Sequence, residues 1–385
     1  MRWANTCWSK LPDQNTVTMP FSPLDHSHMT QALALAEQAL FITSPNPRVG
    51  CVIVDAQGQT IGSGHTQAAG QAHAEVMALR DAQAKGHHTH GATAYVTLEP
   101  CSHQGRTGPC CDALMAAGVA RVVASIQDPN PQVAGQGLAK LQAAGVQVSV
   151  GLLGEQSQEL NIGFFKRMQH GTPWLRLKSA QSLDGQTALS NGQSQWITGE
   201  AARLDGHHWR ARACAILTGI GTVLEDNPLL NVRGVATPRQ PHLLLVDSRL
   251  QTPLDARLWE PARQVVIYHA ERHPAKEAAL QALGAELVCL NGPGNKVDLA
   301  AMVKDMGQRA YNEVHVEAGH KLNGSLLKAG LVDELLLYLA PLLLGPGLSL
   351  AALPELSQLS QAMAWRFTDQ RLMGADLRLL ARALR

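Results

Sequence analysis

Short apolar runs of strand composition alternate with helical segments in two separate stretches of the chain, and this alternation restricts the fold more than any other feature. In the first stretch, short predicted strands at 49–54 and 60–65 flank an Asp-Ala-Gln-Gly turn, which is typical of a hairpin. Further strands are predicted at 92–98, 121–126 and 146–150, and helices at 73–85, 110–117 and 136–144. Elements in this order predict an α/β sheet covered on both faces.

A helix is predicted ahead of this hairpin, because apolar residues recur with helical spacing between positions 29 and 40. Asp25 or Ser27 is placed to cap its start. The helix should end before the Ser-Pro-Asn-Pro sequence at 44–47, since a residue that precedes proline disfavours the helical conformation.

The second stretch starts after Gly171-Thr172-Pro173 and is also predicted to be α/β. Its predicted strands lie at 174–178, 213–218, 242–246, 264–268, 286–290, 314–317 and 334–339, and its helices lie near 199–212, 297–309 and 323–330. No internal repeat relates the two stretches.

Four segments follow from this reading of the 385 residues. Residues 1–24, which carry three prolines and no periodicity, are predicted to be a disordered extension, and Met19 and Met29 leave open a later start. A first domain is predicted at 25–150, a connector at 151–172 and a second domain at 173–385.

Composition excludes several classes of protein. The net charge of +1 gives no basic field for a nucleic-acid partner. The longest apolar run, at 335–344, has ten residues and contains a proline, which is too short for a membrane span. The N-terminus lacks the apolar core of a signal peptide, and the seven cysteines are an odd number. A cytoplasmic protein with metal-ligating or buried thiols is therefore expected, not one held by disulfides.

A possible metal site lies in the first stretch, where His73-Ala-Glu75 is followed by Pro100-Cys101 and, after eight residues, by Cys110. One imidazole and two thiolates supply three ligands of tetrahedral zinc and leave the fourth position for water. Glu75 could reach that water without binding the metal and shuttle its proton. A closed structural zinc site, or simply buried cysteines, would also fit these residues. Cys111 is an alternative to Cys110 as a ligand.

The order His-x-Glu, Pro-Cys, Cys matches the zinc nucleobase-deaminase signature, although that signature has two residues between its cysteines. The wider sequence resembles the deaminase half of the bifunctional riboflavin-biosynthesis deaminase/reductase family. The matching segments are PNPRVG at 45–50, GH at 64–65, GQAHAE at 70–75, TLEPCSHQGRTGPCC at 97–111 and QDPNP at 127–131. Gly108 departs from the family, which usually has proline there.

This resemblance implies a cytidine-deaminase-like three-layer α/β/α domain with Glu75 as the proton shuttle. It implies one zinc ion per chain, held by His73, Cys101 and Cys110, and so favours Cys110 over Cys111. It also implies that four side chains face the substrate. These are Asn46, His65, His103 and Arg106. Arg106, in a glycine-flanked loop, suits a phosphate.

In the second half no Gly-x-Gly-x-x-Gly fingerprint follows the first strand, which argues against a standard Rossmann site. The strand at 314–317 instead leads into a glycine-bearing segment, 318–325, and then a helix, which could form an anion site with Lys321. An ordinary strand-to-helix loop is the alternative.

The resemblance to the same family continues in this half and covers roughly 28–380. The matching segments are 177–185, 194–198, 216–228, 246–248, 316–319, 330–334 and 340–345.

For this half the resemblance implies a dihydrofolate-reductase-like α/β fold that binds NADPH. The implied cofactor residues are Ala180, Trp196, Thr222, Asp226, Ser248 and the loop of Gly319, His320, Lys321, Leu322, Asn323, Gly324 and Ser325. The implied sugar-phosphate residues are Ser194, Arg210, Leu230, Arg233 and Glu317. Lys178 could polarise the carbonyl, contact the sugar or be a solvated lysine. Trp196 could be a core aromatic, and Asp226 or Glu317 could steer the proton. Asn227 and His320-Lys321 depart from the family pattern.

The expected function is that of a bifunctional riboflavin-biosynthesis enzyme. Its first domain would deaminate 2,5-diamino-6-(5-phosphoribosylamino)pyrimidin-4(3H)-one, and its second would reduce the ribosyl chain to ribityl with NADPH. A cytoplasmic homo-oligomer, dimer or tetramer, that binds no nucleic acid and no membrane is expected. Three alternatives remain: a nucleic-acid or free-nucleoside deaminase, a structural zinc module on a binding protein, and a chain that has lost one activity, most readily the reductase.

Overall fold

Two mixed sheets, of five and nine strands, organise the computed structural model, which describes residues 21–103 and 108–384. Most of the predicted N-terminal extension and Arg106 lie outside the described residues. Within those ranges no helix has the length and apolar character needed to cross a membrane.

The first sheet has the strand order β2-β1-β3-β4-β5. Its strands are β1 (Gly50–Val54), β2 (Thr60–His65), β3 (Thr93–Val96), β4 (Arg121–Ala124) and β5 (Gln147–Val150). Its helices are α1 (Pro23–Gln38), α2 (Ala74–Ala84), α3 (Cys110–Ala116) and α4 (Gln136–Ala143). The strand β1 pairs antiparallel with β2 and β3, whereas β3, β4 and β5 run parallel.

Both faces of this sheet are buried, as predicted. Successive side chains of a strand point to opposite faces, and helices cover each face. In β1, Cys51 and Ile53 pack into a core that includes α2, α3 and α4 residues. Val52 and Val54 point to the other face and pack with Met29 of α1. The result is a three-layer α/β/α domain.

The predicted cap of α1 is wrong. Ser22 caps the helix: its Oγ accepts a hydrogen bond from the Asp25 backbone N at 3.1 Å, and the Asp25 carboxylate accepts one from the Ser22 N at 2.8 Å. Pro23 is one of the prolines on which the predicted extension to residue 24 was based. It instead occupies the first turn of α1, where its missing N–H costs no helical hydrogen bond.

Two connector helices, α5 (Gly154–Leu160) and α6 (Ile162–His170), lead to the nine-stranded sheet. That sheet has the order β11-β10-β9-β8-β14-β6-β15-β18-β17. Its strands are β6 (Trp174–Ser182), β8 (Ala215–Gly219), β9 (His242–Val246), β10 (Val265–His269), β11 (Ala285–Cys289), β14 (Glu313–Val316), β15 (Glu334–Ala340), β17 (Trp365–Met373) and β18 (Asp376–Ala383). Two ribbons are formed by β7 (Gln186–Leu189) with β16 (Gly347–Ser349) and by β12 (Asn291–Gly292) with β13 (Lys296–Val297). The helices are α7 (Glu200–Arg212), α8 (Ile220–Asp226), α9 (Pro274–Ala282), α10 (Leu299–Gln308) and α11 (His320–Lys328).

All seven strands predicted for this half are present, and they form the parallel part of the sheet, from β11 to β15. The sequence reading missed the antiparallel hairpin β17–β18, which adds to β15, and the helices α8 and α9. Charged residues interrupt the hairpin so often that it contains no apolar run longer than three residues.

The two sheets are joined by buried polar contacts. Arg48, ahead of β1, donates to the Glu313 carboxylate of β14 at 2.6 Å, and both side chains are buried. Arg212 and Arg176 donate to the same carboxylate at 2.7 and 2.9 Å. The connector packs closely as well, because a Cβ on Gly163 would lie 2.3 Å from the Asn312 carbonyl oxygen. These contacts bring the connector and the second sheet next to the first domain's loops.

Candidate active sites

A cluster of one histidine and two cysteines lies where two helices of the first domain begin. His73 is the N-cap residue of α2, and Cys110 is the first residue of α3. The His73 Nδ1 lies 3.4 Å from the Cys110 Sγ and 3.7 Å from the Cys101 Sγ. All three ligand atoms lie within 4.8 Å of one another. This spacing is compatible with a single shared metal ion.

Cys111 lies next to Cys110 in sequence but outside this cluster. Its Sγ contacts the backbone oxygens of Pro100 and Gly137 at 3.2 and 3.4 Å, and its side chain is part of the domain core. Successive helical residues point about 100° apart, so only one of the two cysteines can face His73.

Glu75 is buried beside the cluster, in the first turn of α2, with 3 % of its surface exposed. Burial and, to a smaller extent, the nearby Cys101 sulfur raise the pKa of this carboxyl to about 7. A carboxyl with this pKa can accept and release a proton near neutral pH.

The cluster opens into a cavity of about 450 Å³. Of the predicted substrate residues, Asn46 and His103 line the cavity together with Glu75, whereas His65 is not part of its wall. Arg106 lies outside the described residues. The cavity wall also contains residues that the sequence reading did not assign. Among them are Glu99, Asp128 and Asn130 from the first domain, Phe164, Arg167 and Met168 from α6, and Ala310 from the second half. Asp128 and Asn130 belong to a segment that already matched the family, but nothing singled out Arg167.

Glu99 fixes the loop that carries Asn130. Its carboxylate accepts hydrogen bonds from the backbone N atoms of Asp128, Gly135 and Gly137 at 3.1, 2.9 and 2.9 Å. Burial raises the pKa of the adjacent Asp128 to about 6. Glu99 therefore shapes the cavity wall and has little capacity left for a ligand.

The donor set fits zinc. One imidazole nitrogen and two sulfurs are zinc's preferred ligands, and a three-ligand site with an adjacent carboxyl is the arrangement of catalytic sites. Within the described ranges, His73, Cys101 and Cys110 are the complete His/Cys/Asp/Glu cluster of this kind. In the part of the chain that the structure describes, no fourth protein ligand, which a closed structural site needs, joins this cluster.

A second group of predicted residues meets at the carboxyl ends of β6 and β14. Arg210 donates through two nitrogens to the Glu317 carboxylate, at 2.8 Å for its second amino group. Its Nη1 also donates to the Asn231 carbonyl at 2.9 Å. Opposite charge keeps the pKa of Glu317 well below its usual range despite burial, and burial lowers the pKa of Lys178. The site is therefore strongly charged.

The remaining substrate residues lie in flanking loops. Arg233 donates to the Asn231 side chain at 2.6 Å and is exposed, whereas Leu230 is buried with a positive φ of 48°. Ser194 is half-buried in the segment between β7 and α7.

The predicted cofactor residues lie on several elements at the same edge of the sheet. Ala180 is on β6, Thr222 and Asp226 are on α8, and Ser248 follows β9, where its Oγ accepts a hydrogen bond from the Val297 N. Trp196 is not a core aromatic, because 68 % of its surface is exposed; it stacks on Arg203.

The predicted loop 319–325 is wrong. Only Gly319 precedes the helix, as its N-cap, and residues from His320 onward form α11. Asn323 and Gly324 are buried in that helix against residues 350–352. The sequence reading took Gly319 and Gly324 together as loop residues, whereas Gly324 permits close packing.

This edge of the sheet fits a dinucleotide. It lies where the strand order reverses between β8 and β14, the position at which open α/β sheets bind ligands. The starts of α8 and α11 meet there, since a Cβ on Gly319 would lie 3.9 Å from the Thr222 Oγ1. Thr218, at the end of β8, has a buried Oγ1 without a hydrogen-bond partner among the described residues.

Comparison with known proteins matches both halves. Residues 22–126 match the family model of the cytidine and deoxycytidylate deaminase zinc-binding region, and residues 173–379 match that of the RibD C-terminal domain. The riboflavin biosynthesis protein RibD of Escherichia coli is 47 % identical over 362 residues, which cover 92 % of this chain and 98 % of that protein.

Solved structures are similar over nearly the whole chain. The RibD of Acinetobacter baumannii is 40 % identical with a TM-score of 0.86, covering 94 % of this chain and 99 % of that one. A diaminohydroxyphosphoribosylaminopyrimidine deaminase/5-amino-6-(5-phosphoribosylamino)uracil reductase of Thermotoga maritima is 29 % identical with a TM-score of 0.83 and the same coverages.

Fold and sites thus define a bifunctional enzyme, in which a zinc-binding deaminase domain of the cytidine-deaminase type precedes a reductase domain. This confirms the predicted fold class and the predicted pair of activities. The chain belongs to the RibD family of riboflavin biosynthesis proteins.

Proposed function

We propose that the first domain removes the 2-amino group of 2,5-diamino-6-(5-phosphoribosylamino)pyrimidin-4(3H)-one by hydrolysis. The observation that carries this proposal is the position of buried Glu75 beside the His73–Cys101–Cys110 cluster in one cavity. The cluster of three ligands found among the described residues, with a buried carboxyl beside it, favours this activity over a structural zinc module. The net charge of +1 favours it over a nucleic-acid deaminase.

His73, Cys101 and Cys110 would hold the zinc, which supplies a water activated for attack on a ring carbon. Glu75 takes the proton of the attacking water at its carboxyl and passes it to the departing amine, so that ammonia leaves. Asn46 and His103, which line the same cavity, orient the pyrimidine. Arg106 and His65 keep their predicted substrate roles as part of this proposal.

The second domain then reduces the ribosyl chain, and NADPH, when bound, supplies the hydride. Gly319 and the first turn of α11, with Thr222, Asp226, Ser248, Ala180 and Trp196, form the proposed cofactor site. Arg233 binds the substrate phosphate, and Arg210, tied to Glu317, orders the site around it. Lys178 is the better proton donor to the carbonyl oxygen, because burial lowers its pKa, whereas Glu317 stays ionised.

Several further properties remain part of the proposal: the domain bounds 25–150 and 173–385, a cytoplasmic location and assembly into a homo-oligomer. Support for assembly comes from the hairpin β17–β18, where Phe367 and Leu372 are exposed on the outermost strand. Light scattering on the purified chain tests it: a monomer at micromolar concentration would contradict this part.

Glu75→Gln tests the deaminase mechanism. The variant should bind one zinc per chain and lose ammonia release by at least about a hundredfold, because the amide cannot move a proton. Its NADPH oxidation with the already deaminated substrate should be unchanged. Glu37→Gln, at an exposed position of α1, is the matched control. Full ammonia release by Glu75→Gln would contradict the mechanism.

A further inference from the structure

One wall of the deaminase cavity does not come from the deaminase domain. Phe164, Arg167 and Met168 of the connector helix α6 line the same cavity as His73 and Cys101. Ala310, just ahead of β14 in the second half, completes this wall. A substrate held in the cavity therefore meets residues from beyond the first domain.

Arg167 is the cationic side chain of this wall. Several other arginines that are buried at least in part face carboxylates: Arg48 and Arg176 pair with Glu313, and Arg210 pairs with Glu317. Arg239 and Arg263 instead donate to backbone carbonyl oxygens. Arg167, among the described residues, has no carboxylate within ion-pair distance, and its neighbours are neutral. Arg167 is half-buried and, unlike Arg239 and Arg263, lines the cavity. Taking a charge partly out of water without a counter-ion costs free energy, so an anion in the cavity would be favoured beside it.

The guanidinium of Arg167 is held in place by neutral groups. Its Nε donates to the Asn312 Oδ1 at 2.7 Å, and the ring centroid of Phe164 lies 5.8 Å from its central carbon. The same Asn312 donates through Nδ2 to the Pro45 carbonyl oxygen at 2.9 Å, directly before Asn46. Asn312, at the start of the second sheet, thus fixes two parts of the deaminase cavity at once. The Arg167 Nη2 also donates to the Pro45 carbonyl oxygen at 3.4 Å, and the remaining N–H groups of its terminal nitrogens keep donor capacity for a ligand.

We propose that Arg167 binds the phosphate of the deaminase substrate and that Asn312 of the second domain positions it. This inference rests on the proposed function, because it assumes that the deaminated molecule carries a phosphate monoester. A guanidinium offers paired N–H donors that match phosphate oxygens, and a dianion supplies the missing counter-charge. The deaminase site would then be complete only when the connector and the start of β14 are in place.

The test compares two substrates on the zinc-loaded full chain: the diaminopyrimidine ribotide and the corresponding riboside without phosphate. In Arg167→Gln, KM for the ribotide should rise about 10- to 100-fold, as expected for loss of a charge-assisted contact, while kcat changes little. Ammonia release from the riboside should be unaffected. Arg167→Lys keeps the charge and should recover part of the ribotide affinity. Arg80→Gln, at an exposed position of α2, is the control.

Equal losses for ribotide and riboside in Arg167→Gln would overturn the phosphate contact and leave a merely structural role. An unchanged KM for the ribotide would also overturn it. Failure of the proposed function looks different, because the unmodified chain would then release ammonia from neither substrate. Asn312→Ala, which removes the hydrogen bonds of Asn312 to Arg167 and to the Pro45 carbonyl, should raise KM for the ribotide and leave NADPH oxidation with the deaminated substrate intact. An unaltered KM in that variant would contradict the positioning role.

Discussion

At the scale of residues, the cluster of His73, Cys101 and Cys110 could be predicted because its ligands stand in a fixed order with distinctive spacing. The choice between Cys110 and Cys111 needed a resemblance, since adjacent cysteines are equivalent until the helix start is known. Arg167 could not be predicted. It lies in an amphipathic connector, where an arginine normally faces solvent, and its position in the cavity depends on how the two sheets pack.

The adjacent cysteines give a direct prediction. Cys110→Ala should lose zinc and ammonia release together, because it removes one of three ligands. Cys111→Ala should keep one zinc per chain and lose only stability, by about 1 kcal/mol, since its sulfur lies in the core. Metal analysis and thermal unfolding measure both effects. Zinc retained by Cys110→Ala but lost from Cys111→Ala would reverse the assignment.

At the scale of elements, the parallel strands were predictable because each is a short apolar run buried on both faces. The hairpin β17–β18 was not predicted, because charged residues leave it without a long apolar run, and neither was the start of α11. At the start of α11, two glycines suggested a loop, but each has a different structural role. Gly319 caps the helix, and Gly324 lets it approach the backbone of Ala352.

A pair of glycine substitutions distinguishes these roles. In Gly324→Ala the new Cβ would lie 2.3 Å from the Ala352 carbonyl oxygen, so the variant should lose about 1–3 kcal/mol of unfolding free energy despite alanine's better helix propensity. Gly206→Ala, inside α7 with no atom within 4 Å of the new Cβ, should gain up to about 1 kcal/mol. Calorimetric melting of both variants provides the comparison, and stabilisation by Gly324→Ala would show that α11 does not pack as described.

At the scale of the whole molecule, the sequence predicted two α/β halves but not how they meet. The contact between the two halves depends on Glu313, which accepts hydrogen bonds from Arg48, Arg176 and Arg212. Arg48 lies 265 positions before Glu313 in the chain. No local sequence pattern indicates that these three arginines meet one carboxylate. Burial opposes the charge on Glu313, yet Arg212, Arg48 and Arg176 together hold its pKa well below the usual value of 4.5.

Because of these contacts of Glu313, the free energy of unfolding should depend on pH in the acidic range. A carboxyl whose pKa is lower in the folded than in the unfolded state contributes stability that is present above pH 4.5 and is lost as the pH falls through the folded value. Unfolding free energy should therefore decline below about pH 4.5. Glu313→Gln should be destabilised by about 3–5 kcal/mol at pH 7 and show a flatter decline. Glu355→Gln, at an exposed position, is the control; parallel pH profiles for Glu313→Gln and the unaltered chain would refute the role of this carboxyl.

The central claim, that one chain carries two working sites used in order, is tested most directly by a coupled assay. The purified, zinc-loaded protein is given the diaminopyrimidine ribotide, and ammonia release and NADPH oxidation are followed together, with and without NADPH. We predict ammonia in both cases, and NADPH oxidation that begins only after deamination. NADPH oxidation that precedes ammonia release, or ammonia without any NADPH oxidation, would contradict the account.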